Sequence, residues 1–371
     1  MNIFLLTAAL LPAGPVSGAE IVSVSSASLT LGQALEAARD RNPEIRAALK
    51  RWEAARSRIV QEATPDKPRL DLERMYAPSG RTPLGGADEK AVSITQEIPF
   101  PSTLYLRATR ASQAAAVLEQ AQRAKVPQIQ AQTRTAYAQL YLSLKSRALL
   151  EENIELMRRF AKVAESKFEA GKGSGADALK AQVELTRMLN MGLAVEQERE
   201  LAGAMLNASM GRRAGETLPA PRDPEPGRLG KTLPELEAAA LARRPELRQA
   251  ALASELSGTS LALAKSEFLP DFMVSYRTRK DPMRGRTSDA VLGFSLPLWF
   301  WKPAAMVAEA SEEREAAEAE LESARLATSA DLRAAFVRAQ TAQRLAESYR
   351  TSLLPQAESA LMGAEAAYQA G

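Results

Sequence analysis

The chain contains neither cysteine nor histidine. Those two absences exclude disulfides, zinc sites built from thiolates or imidazoles, Cys–His nucleophile pairs and the Ser-His-Asp triad. Any chemistry would have to come from carboxylates, lysines or a hard cation held by oxygens. Aromatics are scarce at 5%, with 9 Phe, 7 Tyr and 3 Trp among 371 residues, while 46% of the chain is apolar. That imbalance points to alanine-rich helices. Net charge is small too, because 48 Lys and Arg against 45 Asp and Glu leave +3. No basic footprint of the kind nucleic acid demands is present, so no nucleic-acid partner is expected. Beyond the opening segment no run of about 18 apolar residues occurs, and no membrane-crossing helix is expected.

What is present begins with an export signal. Met1 to Ala19 carries no charged side chain, includes the apolar run Ile3 to Leu11, and ends Ser17-Gly18-Ala19 before Glu20. Small residues stand where a signal peptidase cuts, so residues 1–19 are expected to be a signal peptide, although its n-region lacks Lys and Arg. Pro12, Gly14, Pro15 and Gly18 argue against a buried helix there. Without cysteine the new N-terminus cannot carry a thioether-linked lipid. An exported chain of this kind is either soluble or held by a β-barrel.

The rest is an internal duplication. Asn42-Pro43-Glu44-Ile45-Arg46 answers Arg244-Pro245-Glu246-Leu247-Arg248, and Gln96-Glu97-Ile98-Pro99 answers Phe294-Ser295-Leu296-Pro297 in outline. Arg134-Thr135-Ala136-Tyr137 answers Arg333-Ala334-Ala335-Phe336, and Phe168-Glu169-Ala170-Gly171 answers Tyr368-Gln369-Ala370-Gly371. The blocks keep one order and an offset near two hundred residues, which is the signature of a repeat. Two units follow, 20–230 and 231–371. After Gly171 the first unit continues helically from Ala176 to about Met210 before the Pro-rich stretch Pro219 to Gly230. Nothing follows Gly371, so the second repeat is expected to be C-terminally truncated by one helix.

Each unit reads as helix, hairpin, long helix, turn, helix. The opening helices are expected over Leu31–Glu62 and Leu233–Glu267. Thr30 and Thr232 stand as N-caps, and only the second, with Glu235, resembles a capping box. Pro245 and Gly258 weaken the second helix without having to break it. Period-two segments come next: Phe272, Val274 and Tyr276, then Ala290, Leu292, Phe294 and Leu296, with Leu70, Leu72 and Tyr76, then Val92, Ile94 and Ile98 in the first unit. Loops at Ala77–Glu89 and Lys280–Thr287 separate the partners, so each pair is a candidate hairpin with strands long enough to cross a membrane when tilted. From Ser102 to Phe168 runs one helical pattern that, at 1.5 Å per residue, is about 100 Å long. Leu150, Ile154, Met157, Ala161, Ala164 and Phe168 keep coiled-coil steps there, and Leu353, Ala357, Ala360, Ala364 and Ala367 keep them in the second unit. Pro127 and Pro355 should each kink the helix or open a turn.

A signal sequence, a doubled helix–hairpin–long helix–helix unit and a Phe/Tyr-x-x-Gly end to each long helix together resemble the TolC family of outer-membrane efflux proteins. The likeness spans Ala27 to Gly371, and its motifs are Asn42-Pro43-Glu44, Gln96-Glu97-Ile98-Pro99 and Phe168-Glu169-Ala170-Gly171. It implies a mainly α fold with a membrane β-barrel portion: a homotrimer whose chains each give four strands to a twelve-stranded barrel, above an α-helical periplasmic tunnel. It implies an outer-membrane location with a large periplasmic portion, no enzymatic activity and no cofactor. Function would be passive conduction from an inner-membrane efflux pump, reached through a periplasmic adaptor protein. The junctions Glu97-Ile98-Pro99-Phe100-Pro101 and Pro297-Leu298-Trp299-Phe300-Trp301-Lys302-Pro303 look most like the branch that serves heavy-metal cations, with drugs as the next substrate class. The rival reading is a soluble periplasmic coiled-coil scaffold or pump adaptor.

Two groups of residues are the candidate sites. Ala170 to Asp177 places three glycines in one turn between helices, and Ser174 and Asp177 suit the start of the following helix. By the resemblance this turn is the periplasmic tip that an adaptor contacts, through Phe168, Gly171, Lys172, Gly173, Gly175 and Asp177, with Tyr368 and Gly371 as counterparts in the second unit. The other group is the aromatic cluster between Phe268 and Trp301. Phe268, Tyr276, Trp299, Phe300 and Trp301 suit a girdle at the headgroup level of outer-membrane lipid. Glu309 to Glu322 reads as a solvated helix face paired with Arg314 and Arg325, and Met273, Met283 and Met306 as packing or loop residues rather than soft-metal ligands. Gly171-Lys172-Gly173-Ser174-Gly175 follows a helix and lacks the Gly-Lys-Ser/Thr ending, so it is no phosphate loop.

Overall fold

The computed structural model describes residues 28–75, 89–224, 227, 229–281 and 285–370. The expected signal peptide, Tyr76, Met283, Gly371 and most of the two hairpin loops lie outside the described residues. Helices and strands alternate as expected: α1 (Leu31–Arg41), α2 (Pro43–Ala63), β1 (Arg69–Met75), β2 (Glu89–Ile98), α3 (Pro101–Glu169), α4 (Gly175–Ser209), α5 (Leu233–Arg243), α6 (Pro245–Ser266), β3 (Phe272–Asp281), β4 (Gly285–Phe294), α7 (Trp301–Ser348) and α8 (Leu354–Ala370).

Both opening helices are broken, which corrects the expected continuous spans. The residue before a proline is driven out of the α region by the proline ring. Asn42 and Arg244 are accordingly extended, at ψ 125° and ψ 120°. Pro43 and Pro245 then start fresh helices at a position where their missing N–H costs nothing. Gly258 interrupts nothing. The capping box is not confined to the second unit, which corrects that expectation, because Thr30-Leu31-Gly32-Gln33 fits the pattern too: Thr30 N–H donates to Gln33 Oε1 at 2.9 Å, and Gln33 N–H donates to Thr30 Oγ1 at 3.3 Å. In the second unit Thr232 N–H donates to Glu235 Oε2 at 2.8 Å. That bond and the Thr232 hydroxyl hold the Glu235 carboxyl below the usual carboxylate range.

The prolines of the long helices act differently from each other. Pro127 lies inside α3, which stays unbroken for 69 residues, or about 100 Å. Ala124 and Ile129 on either side of it are buried, so packing holds the helix through the proline. Pro355 is preceded by a π-helical turn, Tyr349–Leu353, in which Leu354 N–H reaches Tyr349 O. The wider turn removes the clash a proline ring would make with the carbonyl four residues earlier.

The four strands form one antiparallel sheet in chain order, and the middle joint is between units: β2 pairs β3 from Lys90↔Lys280 to Ile98↔Phe272. Strands β1 and β4 are the open edges. Below the sheet α2, α3, α6 and α7 lie side by side, and α4 runs back along α3. There is no thick core. The largest buried cluster sits where α1, α3 and α4 meet, built on Ala34, Ala38, Ile129, Tyr137, Leu140 and Leu206. Alanine there lets helix axes approach closely. Tyr137 fixes the surrounding chain, since its hydroxyl lies 2.8 Å from Leu29 O and 2.7 Å from Arg222 O and can donate to either. Those residues flank a parallel bridge between Leu29 and Pro221, which clasps the start of the first unit to its end. The coiled-coil seam of the first unit is buried or half-buried from Leu150 to Ala164, whereas Leu353, Ala357, Ala360 and Ala364 are exposed.

Candidate functional site

The tip between α3 and α4 is a glycine-dependent reversal. Gly171 takes φ +71°, Gly171 N–H donates to Phe168 O at 2.9 Å, and Lys172 N–H donates to Lys167 O at 2.8 Å. This paired bonding satisfies the last carbonyls of α3. The tip is then closed by contact: a Cβ on Gly173 would lie 3.1 Å from Lys167 Cβ, and one on Gly175 would lie 2.9 Å from Phe168 Cε2. Ser174 starts α4 by accepting from Ala176 N–H at 3.2 Å. Asp177 stands in the first turn, at the positive end of the helix, with Lys180 Nζ 4.0 Å away. Phe168, Gly171, Lys172, Gly173, Gly175 and Asp177 are thus brought together in one small structure, and all but Gly175 are exposed. Of the second-unit counterparts, Tyr368 belongs to α8, and its side chain and Gly371 lie outside the described residues.

The sheet has two unlike faces, fixed by register. Leu70↔Ile94↔Tyr276↔Ala290 and Leu72↔Val92↔Thr278↔Ser288 run across one face, with Phe272↔Phe294 at its helix end. The apolar members of this face are largely exposed; Leu72 and Leu292 reach 73% and 76%. The opposite face carries Asp71↔Ser93↔Arg277↔Asp289 and is mostly polar or small, with Met273 and Val291 as apolar members. Arg277 reaches Glu73 there at 3.9 Å, and the Thr95 and Ser275 hydroxyls share a hydrogen bond at 2.9 Å.

The aromatic cluster is partly as expected. Where β4 passes into α7, the Trp301 ring meets Trp299 at a tilt and Phe300 edge to face, with ring centroids 5.4 Å apart in both pairs, and Phe268 lies at the α6–β3 turn. All four are exposed. Tyr276 is separate from them, four residues up β3 from Phe272 and paired with Ile94 and Ala290. Phe100, which belongs to the first strand-to-helix junction and not to the expected girdle, stacks its ring on Phe272 at 6.1 Å. Asp271 braces this junction by accepting from Phe100 N–H at 3.3 Å.

The remaining sequence features carry no chemistry. Arg314 pairs with Glu318 at 2.9 Å and Arg325 with Glu322 at 3.4 Å, on an exposed helix face. Glu309 and Glu313 also line a groove of about 520 Å³ together with Glu62 and Glu267, and Arg107 and Arg110 share that groove and offset half of their charge. Met273 lies under Gly293, and Met306 packs on Leu261, Ala264 and Ala310. Among the described residues no group of three or more Asp and Glu is placed to hold a metal ion.

A helical shaft of about 100 Å joined to a sheet with one apolar and one polar face is the architecture of an outer-membrane channel with a periplasmic helical domain. The family model for outer membrane efflux proteins matches residues 34–212 and 236–371, and the chain belongs to that family. The fold agrees with solved channels at low sequence identity. A membrane protein from Pseudomonas aeruginosa is 18% identical, with a TM-score of 0.77 over 92% of this chain and 81% of that one. VceC from Vibrio cholerae is 16% identical, with a TM-score of 0.73 over 92% and 86%. CusC is likewise 16% identical, with a TM-score of 0.73 over 92% and 82%. No curated protein gives a significant sequence match. The protein is therefore a TolC-family outer-membrane efflux channel and not an enzyme, which displaces the reading as a soluble scaffold or adaptor.

Proposed function

We propose that three copies of this chain close their sheets edge to edge, β1 to β4, into a twelve-stranded barrel that passes substrate out of the cell. The two-faced sheet with two open edges carries this reading. A single copy would leave unpaired N–H and C=O groups along β1 and β4, which cannot be tolerated in hydrocarbon. Closure turns the Leu72 face to lipid and the Arg277 face to a wet lumen. In this arrangement units 20–230 and 231–371 each supply one hairpin and one long helix to the wall. The exposed Trp299, Phe300, Trp301 and Phe268 form the inner girdle.

The tip then works as a docking point. Phe168, held against Gly175, and the charged Lys172 and Asp177 meet a periplasmic adaptor, and an inner-membrane pump supplies the energy. The substrate class is heavy-metal cations, ahead of drugs. The two strand-to-helix junctions resemble the branch that serves such pumps, and the chain has no thiolate or imidazole to hold a soft metal in transit. The purified full-length protein in planar bilayers should give trimeric channels. A monodisperse monomer that stays in solution without detergent would refute the assembly. A strain lacking the gene should become sensitive to heavy-metal salts, and sensitivity to hydrophobic drugs alone would reassign the substrate.

A further inference from the structure

We infer that the outer rim of the sheet carries a phosphate-binding belt for the lipid headgroups of the outer leaflet. The inference rests on the barrel reading above. Four basic residues stand on the apolar face in a single register row, Arg74↔Lys90↔Lys280↔Arg286. They are the only charged residues on that face among the described strand residues, and all four are exposed. The opposite face mixes signs, with Arg277 reaching Glu73 and with Asp71 and Asp289 in its own row. Cations directly opposite one another across strands repel. Four in succession on a surface otherwise made for hydrocarbon therefore point to an anionic partner.

Their depth identifies it. Lys280 stands eight residues from Phe272 along β3, which is about 27 Å of strand and roughly 20 Å of height once the strands tilt. The aromatic cluster lies at or below the Phe272 level, so rim and girdle bracket an apolar band close to the ~25 Å of outer-membrane barrels. The row lies at the hairpin end, away from the periplasmic helices, and so faces the exterior leaflet. That leaflet is built of phosphorylated glycolipid, and long basic side chains extend readily from an apolar wall to phosphate. In a trimer the row becomes a belt of twelve cations.

The test uses the full-length trimer in detergent, titrated with bisphosphorylated lipid A, with the same lipid after phosphate removal, and with inorganic phosphate. Bound lipid is counted by native mass spectrometry. The wild type should bind the phosphorylated lipid about tenfold or more tighter than the dephosphorylated one, and the variant R74Q/K90Q/K280Q/R286Q should lose that preference. The milder K90Q/K280Q should lose about half of it on a logarithmic scale, which keeps the test sound if the fourfold variant does not assemble. Equal affinity for both lipids, a variant that keeps the preference, or displacement of lipid A by millimolar phosphate would each overturn the belt. Conductance in phosphatidylcholine bilayers separates the two readings. Conducting trimers without a lipid preference overturn the belt alone, whereas absence of any conducting trimer overturns the channel and the belt together.

Discussion

The ring of Phe168 lies so close to Gly175 that a Cβ on the glycine would stand 2.9 Å from Cε2. The contact is with the far end of an exposed side chain, so the ring can swing aside. Gly175→Ala should cost less than about 1 kcal/mol in thermal unfolding while altering the shape of the tip. If the tip docks an adaptor, adaptor affinity measured by biolayer interferometry should fall much more than stability does. Equal loss of both would show that Phe168 serves only the fold.

Gly171 and Gly211 make a matched pair. Both have φ +71°, and both close helices with the same bonding, but a Cβ on Gly171 meets nothing, whereas one on Gly211 would lie 2.5 Å from Arg41 O. Gly171→Ala should therefore cost only the left-handed backbone penalty, about 1–2 kcal/mol. Gly211→Ala should cost roughly 2–4 kcal/mol, because backbone must move as well. Chemical denaturation of the two variants measures the difference.

Asn42 and Arg244 occupy equivalent breaks with unequal bonding. Asn42 is buried; its Oδ1 accepts from Glu44 N–H at 2.8 Å, and its Nδ2 donates to Ser209 O at 2.8 Å. Arg244 makes no side-chain cap. Asn42→Ala should cost about 2–3 kcal/mol and Arg244→Ala less than about 0.5, as read from melting temperatures.

Tyr137 should set an alkaline limit. Burial raises its hydroxyl pKa above the ordinary 10.0. A raised phenol pKa means that the folded state keeps the proton after the unfolded chain has lost it. Its contribution is complete below pH 10 and is lost as pH climbs from there through the folded-state value. Tyr137→Phe should cost about 1–2 kcal/mol at neutral pH, leaving Arg222 O without its donor, and should flatten the decline above pH 10. Circular-dichroism melts at graded pH follow both effects.

Much of this fold is legible in the sequence. The period-two runs at Phe272–Tyr276 and Ala290–Phe294 are strands, and the rod from Ser102 to Phe168 is one helix to within a residue at each end. The misses are local. Reading Lys280–Thr287 as loop removed Lys280 and Arg286 from their strands and so hid the basic row; charged residues beside a Gly/Pro-rich turn look like ordinary loop residues. The joint between β2 and β3 has no local signal, because pairing across two repeats is decided by packing. The breaks at Asn42 and Arg244 were signalled by the following prolines but were outweighed by uninterrupted helical periodicity. Tyr276 stands apart from the tryptophans because nearness in sequence does not show height along a strand.

The clasp between Leu29 and Pro221 bears on the order of assembly. All of its partners, Tyr137 included, belong to the first unit, so after export it can close before β3 has joined the sheet. At that moment β2 has one neighbour and its far edge is bare. Until β3 arrives, that edge offers unpaired N–H and C=O groups to any other strand, so substitutions that unfold α5 or α6 should show themselves first as aggregation.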